Sequence, residues 1–215
     1  MHYTSVLFDL DGTLLDTLGD LTAAMNRTLT RHGLPERTRQ QMRAALGNGA
    51  RRLMELCAPE GIDSALFETL LAEYNADYAA HCRIETAPYP GVDALLRQLH
   101  AQGRKLAIVS NKPDEAVRAL RAEFFADTVP IAVGEKQGIR RKPAPDTLLA
   151  AMAQLDADPA STVYVGDSEV DIATARAAGL PCISVLWGFR DRDVLEQAGA
   201  QQFAADASEL ARLLD

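Results

Sequence analysis

This sequence has few cysteines, no long apolar run and fewer positive than negative charges. The three cysteines, Cys57, Cys82 and Cys182, are far apart and form no CxxC pair, which argues against zinc sites and disulfide frameworks. No run approaches the roughly 18 apolar residues that a membrane-spanning helix needs. Because 22 Lys and Arg face 30 Asp and Glu, the formal net charge is −8. This balance argues against nucleic acid or an anionic membrane as a main partner.

The chain is long enough for one domain and a sizeable insertion. It has 215 residues, of which 47% are hydrophobic and 24% are charged, as in ordinary globular proteins. The first residues hold no basic segment followed by a long apolar stretch, so we expect no targeting segment and a cytoplasmic location. We expect the protein to act as a monomer or a homodimer.

Short apolar runs alternate with helical patterns over most of the chain. Near-continuous apolarity, without the polar alternation of a half-exposed strand, is typical of parallel strands covered on both faces. These runs lie at residues 6–8, 105–110, 128–133, 162–166 and 182–186. Helical spacing lies between them at residues 92–99, 113–125, 143–155 and 172–178. The alternation predicts an α/β fold with a Rossmann-like parallel sheet and right-handed crossovers.

One long segment interrupts this alternation. Residues 17–82 contain no convincing strand, and their apolar residues follow helical spacing. Two such stripes are Leu18, Leu21, Met25 and Leu29, and then Leu66, Leu70 and Tyr74. We therefore expect an α/β core formed by residues 1–15 and 84–215, with an inserted all-helical domain over residues 16–83.

Acidic side chains follow two of the predicted strands. Asp9 and Asp11 come directly after the first run, and Asp167 and Asp171 come after the run at 162–166. In open α/β sheets, ligands bind outside the carboxyl ends of the strands. Aspartates at strand ends are also common turn formers, so either pair alone would be weak support for a site.

Two further segments bring polar groups to the same predicted edge. Ser110 and Asn111 end the run at 105–110, and Lys142 precedes a predicted helix. Carboxylates together with a hydroxyl and an ammonium group are a plausible set for Mg²⁺ and phosphate. The sequence therefore predicts a site for a phosphorylated ligand.

Each of these residues has an alternative interpretation. Ser110 could cap the helix that follows it, since serine is a preferred cap. Lys142 could belong to a solvated basic loop with Arg140 and Arg141. Asp171 could be an acid in the first helical turn, where the helix dipole favours it.

Taken together, the residues resemble the haloacid dehalogenase-like superfamily of phosphohydrolases. The string DLDGT at 9–13 is similar to its first motif, and Ser110 to its second. Lys142 is similar to the third motif, and Asp167 and Asp171 to the fourth. The resemblance covers the whole chain, and the helical insertion corresponds to the small cap domain of that superfamily.

The resemblance implies a covalent phosphoryl-transfer mechanism. Asp9 would be the nucleophile that forms an aspartyl-phosphate. Asp11 would protonate the leaving alkoxide and then activate water. Lys142 would reduce the repulsion between anions, and it would hold phosphate oxygens together with Ser110 and Asn111.

The resemblance also implies a Mg²⁺ cofactor. Asp9, Asp167 and the backbone carbonyl of Asp11 would be ligands of the metal. Asp171, four residues after Asp167, would bind through water or support the ligands from behind.

The cap would select the substrate. Gly47, Asn48 and Gly49, followed by Arg51 and Arg52, resemble the cap loop of bacterial phosphoglycolate phosphatases. Glycines would bring backbone N–H groups close to a small carboxylate, and an arginine would add positive charge. The alternative is a glycine-based turn followed by a helix with solvated arginines.

The expected function is Mg²⁺-dependent hydrolysis of a small phosphomonoester, with 2-phosphoglycolate as the favoured substrate. A phosphatase for a sugar phosphate or for pyrophosphate, or a β-phosphoglucomutase-like phosphomutase, would share the same layout. A phospho-accepting signalling domain also combines an acidic Mg²⁺ pocket with a hydroxyl and a lysine. It would be phosphorylated once and would not turn over substrate.

Overall fold

The computed structural model describes residues 3–215. Met1 and His2 lie outside the described residues, and the expectation about the amino-terminal segment falls partly on them. The chain divides into two compact units, of which the first comprises Met1–Asp16 and Pro88–Asp215 and the second Thr17–Ala87.

Eight strands are present in the described part of the chain. They are β1 (Ser5–Phe8), β2 (Leu15–Asp16), β3 (Ala87–Pro88), β4 (Lys105–Pro113), β5 (Ile131–Glu135), β6 (Thr162–Gly166), β7 (Cys182–Val185) and β8 (Gln202–Ala204). Six of them form one sheet in the order β5-β4-β1-β6-β7-β8, and every neighbouring pair is parallel. The predicted α/β class with a parallel sheet is confirmed.

Helices account for most of the remaining chain. They are α1 (Leu18–Arg31), α2 (Arg39–Ala45), α3 (Gly49–Cys57), α4 (Ser64–His81), α5 (Val92–Ala101), α6 (Asp114–Phe124), α7 (Asp146–Leu155), α8 (Glu169–Ala178), α9 (Arg192–Gln197) and α10 (Ala207–Leu214). Residues 17–82 contain no strand among those described, as the helical stripes predicted. No helix within residues 3–215 is both long and apolar enough to cross a membrane.

The core of the first unit lies on both sides of the central strands. All four residues of β1 and all five of β6 are buried, which explains why their sequences lack polar alternation. Leu7 on β1, Tyr164 on β6 and Leu148 on α7 belong to one buried cluster. The two central strands are thereby fixed, and the residues that follow them have defined positions.

The second unit is held by its own buried polar contacts. Asp77 on α4 is buried and accepts hydrogen bonds from Arg27 at 2.6 Å and from Arg31 at 2.7 Å. Asp20 on α1 accepts hydrogen bonds from the backbone N–H groups of residues 84–86 and from the Thr86 hydroxyl. These contacts satisfy carboxylates that burial would otherwise destabilise.

The strand boundaries differ most from the sequence predictions in β5 and β4. The run at 128–133 becomes a strand only from Ile131 onward, because the N–H groups of Thr128 and Val129 bond to the carbonyl of Phe125 at the end of α6. β4 continues three residues beyond Ser110, to Pro113. The strand β8, at one edge of the six-stranded sheet, has only three residues and was not predicted.

Adjacent leucines on α7 provide a matched test of this core. Leu148 is fully buried, whereas Leu149 is 48% exposed. We expect Leu148→Ala to lower the free energy of unfolding by about 2–5 kcal/mol because it leaves a cavity. Leu149→Ala should change it by less than about 0.5 kcal/mol. Urea denaturation followed by circular dichroism measures both, and equal losses would contradict the described packing.

Candidate active site

Three buried carboxylates converge at the carboxyl end of the central strands. Asp9 directly follows β1, Asp167 directly follows β6, and Asp171 lies in the first turn of α8. One carboxylate oxygen from each lies within 4.8 Å of the others. The N–H of Asp9 donates to the carbonyl of Val165 at 2.8 Å, which continues the pairing of β1 with β6 beyond the last residue of β1. Adjacent parallel strands therefore bring the acids together.

The Lys142 ammonium lies between two of these carboxylates. Its Nζ is 2.7 Å from Asp9 Oδ1 and 2.7 Å from Asp171 Oδ1. It also donates to the Tyr164 hydroxyl at 3.0 Å. Its side chain is only 3% exposed, so the alternative of a solvated basic loop is wrong for Lys142. Arg140 fits that description instead, since it is 77% exposed and pairs with Asp146.

The side chain of Asn111 fixes the backbone of Lys142. Its Nδ2 donates to the Lys142 carbonyl at 3.0 Å, and its Oδ1 accepts the Lys142 N–H at 2.8 Å. Both polar ends of the amide are therefore bonded to one residue. The sequence pattern did not indicate this positioning role, and the contact between Asn111 and a phosphate oxygen stays a prediction.

Both oxygens of Asp171 are occupied by donors. Oδ1 accepts from Lys142 and from the Tyr164 hydroxyl, the latter at 2.9 Å. Oδ2 accepts from the Ser168 hydroxyl at 2.6 Å and from the Ser168 N–H at 3.1 Å, which forms a capping box on α8. The interpretation as a first-turn acid is therefore confirmed, and Asp171 also anchors Lys142. Its contact with a metal stays a prediction.

Asp167 is enclosed by two glycines and a backbone donor. The N–H of Phe189 donates to Asp167 Oδ2 at 2.6 Å. A Cβ at Gly12 or at Gly188 would overlap the Asp167 side chain, so both positions require glycine. The short string WGF at 187–189 was thus part of the site, although no spacing rule pointed to it.

Trp187 and Tyr164 were also not predicted as site residues. The Trp187 indole N–H donates to the carbonyl of Thr13 at 3.0 Å, and its ring packs against Tyr89. This contact supports the turn that carries Asp11. A tyrosine within an otherwise aliphatic buried strand was the available signal for Tyr164, because a buried hydroxyl needs a partner.

Asp11 lies beside the end of β4. Its Oδ1 is 2.6 Å from Lys112 Nζ, and its Oδ2 accepts from the Ser110 hydroxyl at 3.4 Å. Ser110 is within β4, and the N-cap of α6 is Pro113. The alternative that Ser110 caps the following helix is therefore wrong.

The predicted cap residues lie in the second unit. Gly47 and Gly49 have φ of 111° and 79°, and Asn48 is the N-cap of α3. Arg51 forms a two-pronged ion pair with Glu68 at 2.8 and 2.9 Å. Arg52 pairs with Glu55 at 2.8 Å. Both arginines thus have carboxylate partners on the surface, as the alternative of a solvated helix expects.

Burial and crowding of the acids set their protonation. Burial raises the pKa of Asp9 well above its usual value; the Lys142 ammonium opposes this, and the Asp171 and Asp167 carboxylates add to it. Burial, and then the Asp171 carboxylate, raises the pKa of Asp167 to about 7. Burial works against ionisation of Asp171 as well, but the Lys142 ammonium keeps its pKa below the usual value. The charged forms of Asp9 and Asp167 are therefore destabilised, whereas that of Asp171 is stabilised by Lys142.

This donor set fits a divalent cation that prefers oxygen. The cluster offers only carboxylate oxygens, and soft ligands such as cysteine are not part of it. A cation would also relieve the repulsion that raises the pKa of Asp9 and of Asp167. The close approach of three buried carboxylates is the observation that favours such an ion.

The raised pKa of Asp167 predicts a pH-dependent stability in a chelator. The native carboxyl keeps its proton up to about pH 7, whereas the unfolded chain releases it near 3.8, so native stability falls as pH rises through this interval. We expect Asp167→Asn, measured with EDTA, to raise the Tm by about 3–6 °C at pH 8 and by less at pH 5. Differential scanning calorimetry at both pH values checks this, with exposed Asp193→Asn as the matched control. An equal effect at both pH values would contradict the assignment.

Comparison with known proteins places the chain among curated phosphatases. It is 35% identical over 187 residues to the phosphoglycolate phosphatase of Xanthomonas campestris pv. campestris, covering 86% of this chain and 84% of that protein. It is 32% identical to the N-acetylmuramic acid 6-phosphate phosphatase of Pseudomonas aeruginosa, covering 100% and 96%. It is thus similar along nearly its whole length to enzymes with different substrates.

Solved structures agree with the fold. A candidate phosphoglycolate phosphatase from Lactobacillus delbrueckii subsp. bulgaricus superposes with a TM-score of 0.94 at 36% identity, covering 100% of this chain and 99% of that chain. The family model for haloacid dehalogenase-like hydrolases matches residues 6–185, a span that contains Asp9, Ser110, Lys142 and Asp167. With these motif residues assembled at one sheet edge, the chain belongs to the haloacid dehalogenase-like hydrolase family.

Proposed function

We propose that this protein is a Mg²⁺-dependent phosphomonoester hydrolase that works through an aspartyl-phosphate. The observation that carries the proposal is the Lys142 ammonium placed 2.7 Å from Asp9 in a buried cluster of three carboxylates. An acid that is buried yet paired with an ammonium group is suited to attack an anion, because the ammonium group offsets part of the repulsion.

Asp9 is the nucleophile in this account. One of its oxygens bonds to phosphorus while the bond from phosphorus to the leaving alkoxide breaks, which gives an aspartyl-phosphate. Lys142, held by Asp171 and Tyr164, keeps its ammonium beside the attacking carboxylate. Asn111 prevents the Lys142 backbone from shifting, because it bonds to both backbone polar groups.

Asp11 is the acid and base. In the first half of the reaction it gives a proton to the departing alkoxide, and in the second half it takes a proton from the attacking water. Its position in the turn after β1 places it close enough to Asp9 to influence the pKa of that residue. Ser110, whose hydroxyl is 3.4 Å from Asp11, would bind a phosphate oxygen together with Lys142 and Asn111.

Asp9, Asp167 and the backbone carbonyl of Asp11 would hold Mg²⁺, with Asp171 beside them. When bound, the ion supplies positive charge that stabilises the phosphoryl oxygens in the transition state. The protein orients these ligands through the Phe189 N–H on Asp167 and the Ser168 cap on Asp171.

The favoured substrate is 2-phosphoglycolate. The curated relatives from Xanthomonas campestris and Xylella fastidiosa are phosphoglycolate phosphatases at 35% identity. We propose that the cap turn, Gly47, Asn48 and Gly49, with Arg51 and Arg52, contributes to the choice of substrate. For Arg51 this requires exchanging Glu68 for the substrate carboxylate, since the two residues form an ion pair in the structure.

A larger sugar phosphate is the second candidate. The N-acetylmuramic acid 6-phosphate phosphatase of Pseudomonas aeruginosa matches the whole of this chain, whereas the Xanthomonas protein matches 86% of it.

We further propose a cytoplasmic location and action as a monomer or homodimer on a small phosphorylated metabolite. Cys57 and Cys82 are buried and form no disulfide among the described residues, as is usual in a reducing compartment.

Replacement of the nucleophile tests the mechanism. Asp9→Asn should lower phosphate release from p-nitrophenyl phosphate by at least about a thousandfold, because an amide is a poor nucleophile. Exposed Asp193→Asn is the matched control and should keep the wild-type rate. Phosphate release is measured with Mg²⁺ and with EDTA, and EDTA should stop it. Near-normal activity of Asp9→Asn would contradict the assigned nucleophile.

The same assay separates the competing functions. The proposed hydrolase releases many equivalents of phosphate per protein. One stoichiometric phosphorylation without turnover would indicate a phospho-accepting signalling domain, and an isomerised phosphorylated product would indicate a phosphomutase.

A substrate panel tests the narrower proposal. We expect kcat/KM for 2-phosphoglycolate to exceed the mean for sugar phosphates, pyrophosphate and N-acetylmuramic acid 6-phosphate by at least about tenfold, since a bound carboxylate adds roughly 1.4 kcal/mol or more. Arg52→Ala and Arg51→Ala should reduce that preference, with exposed Arg97→Ala as the control. A value for 2-phosphoglycolate at or below the panel mean would contradict the assignment.

A further inference from the structure

Lys112 lies in the site but has no role in the mechanism described above. Its side chain is 9% exposed, and its Nζ is 2.6 Å from Asp11 Oδ1. A buried ammonium is costly unless a partner compensates it, and Asp11 is such a partner. Lys112 and Lys142 are thus two buried lysines of the same site, each paired with an aspartate of the first motif.

The backbone around Lys112 is irregular in a way that directs its side chain. The pairing of β4 with β5 changes register between Val109 and Pro113. Such irregularities re-aim side chains and are common next to active sites. The N–H of Lys112 donates to the Ser110 hydroxyl at 3.2 Å, and that hydroxyl donates to Asp11 Oδ2. The two oxygens of Asp11 are therefore each bonded by a residue from this stretch of β4.

The neighbouring strand holds Lys112 in place. A Cβ at Gly134 on β5 would lie 2.7 Å from the Lys112 carbonyl oxygen and 2.5 Å from the Cα of Asp114, so only glycine permits this approach. The Gly134 N–H donates to Asp114 Oδ1 at 2.9 Å. The end of β4 is thereby fixed from the side opposite the site, and the position of the ammonium is set before any ligand binds.

We propose that Lys112 is a positioning residue that holds the side chain of Asp11 in place for hydrolysis of the aspartyl-phosphate. This inference rests on the proposed function. In that step the water oxygen bonds to phosphorus, and one water proton passes to the Asp11 carboxylate. The bond from phosphorus to the Asp9 oxygen breaks, and its electron pair returns to Asp9. The ion pair of Lys112 with Asp11 Oδ1 at 2.6 Å and the hydrogen bond from Ser110 to Oδ2 orient the carboxylate that accepts this proton.

The two halves of the reaction can be separated with p-nitrophenyl phosphate. Its leaving group departs without a proton, so formation of the aspartyl-phosphate does not need Asp11, whereas hydrolysis does. For Lys112→Met we expect a burst of about one nitrophenolate per site, followed by a steady rate at least about tenfold below wild type. Lys112→Arg, which keeps the charge, should recover most of the steady rate. Lys136→Met is the matched lysine control and should behave as wild type.

A double-mutant cycle shows whether Lys112 acts through Asp11. Asp11→Asn alone should give the same burst, and adding Lys112→Met to it should change the steady rate by less than about twofold. A further large loss in the double variant would contradict the inference. Thermal denaturation monitors folding, and Lys112→Gln takes the place of Lys112→Met if that variant does not fold.

Other outcomes are equally distinct. Equal slowing of the burst and the steady phase would show that Lys112 affects both steps alike and not hydrolysis in particular, and would overturn the inference. A raised KM for 2-phosphoglycolate without any burst would assign Lys112 to the substrate carboxylate, and would also overturn it. Absence of turnover in the wild-type protein would overturn the proposed function itself, and the inference with it.

Discussion

The site depends on one buried ammonium group. Lys142 Nζ lies 2.7 Å from both Asp9 and Asp171, in a region where three carboxylates come within 4.8 Å of one another. Without that charge the buried acids would repel one another strongly. The surrounding structure serves to hold it: Asn111 fixes the Lys142 backbone, and Tyr164 bonds to its Nζ. The parallel order of β4, β1 and β6 is what brings these residues to one edge.

The carboxylate cluster needs more positive charge than the protein itself supplies. Burial and the neighbouring carboxylates raise the pKa of Asp9 and of Asp167, and the Lys142 ammonium compensates only in part. A divalent cation would supply the missing positive charge, and an anionic substrate could then enter. The net charge of −8 therefore does not conflict with an anionic substrate. The local charge around Asp9 decides what binds there.

Sequence reasoning recovered the sheet and the motif residues because both leave strong local signals. Buried parallel strands produce uninterrupted apolar runs, and Asp9, Asp11, Asp167 and Asp171 follow two of them. Lys112 was noted at the end of a strand but given no role, and the Phe189 N–H on Asp167 was not found. Their contacts depend on a register change in β4 and on a loop 22 residues away along the chain. Contacts made by backbone groups leave no side-chain pattern to recognise. The short strand β8 was missed for a related reason, since three residues carry almost no periodicity.

The most direct test of the account is to locate the phosphoryl group on the protein. The Asp11→Asn variant, mixed with ³²P-labelled p-nitrophenyl phosphate and quenched in acid within the first turnover, should retain label on one peptide. The account predicts that this peptide contains Asp9 and that label is absent from Asp9→Asn. Label on a different residue, or rapid turnover with no labelled protein at any time, would contradict it.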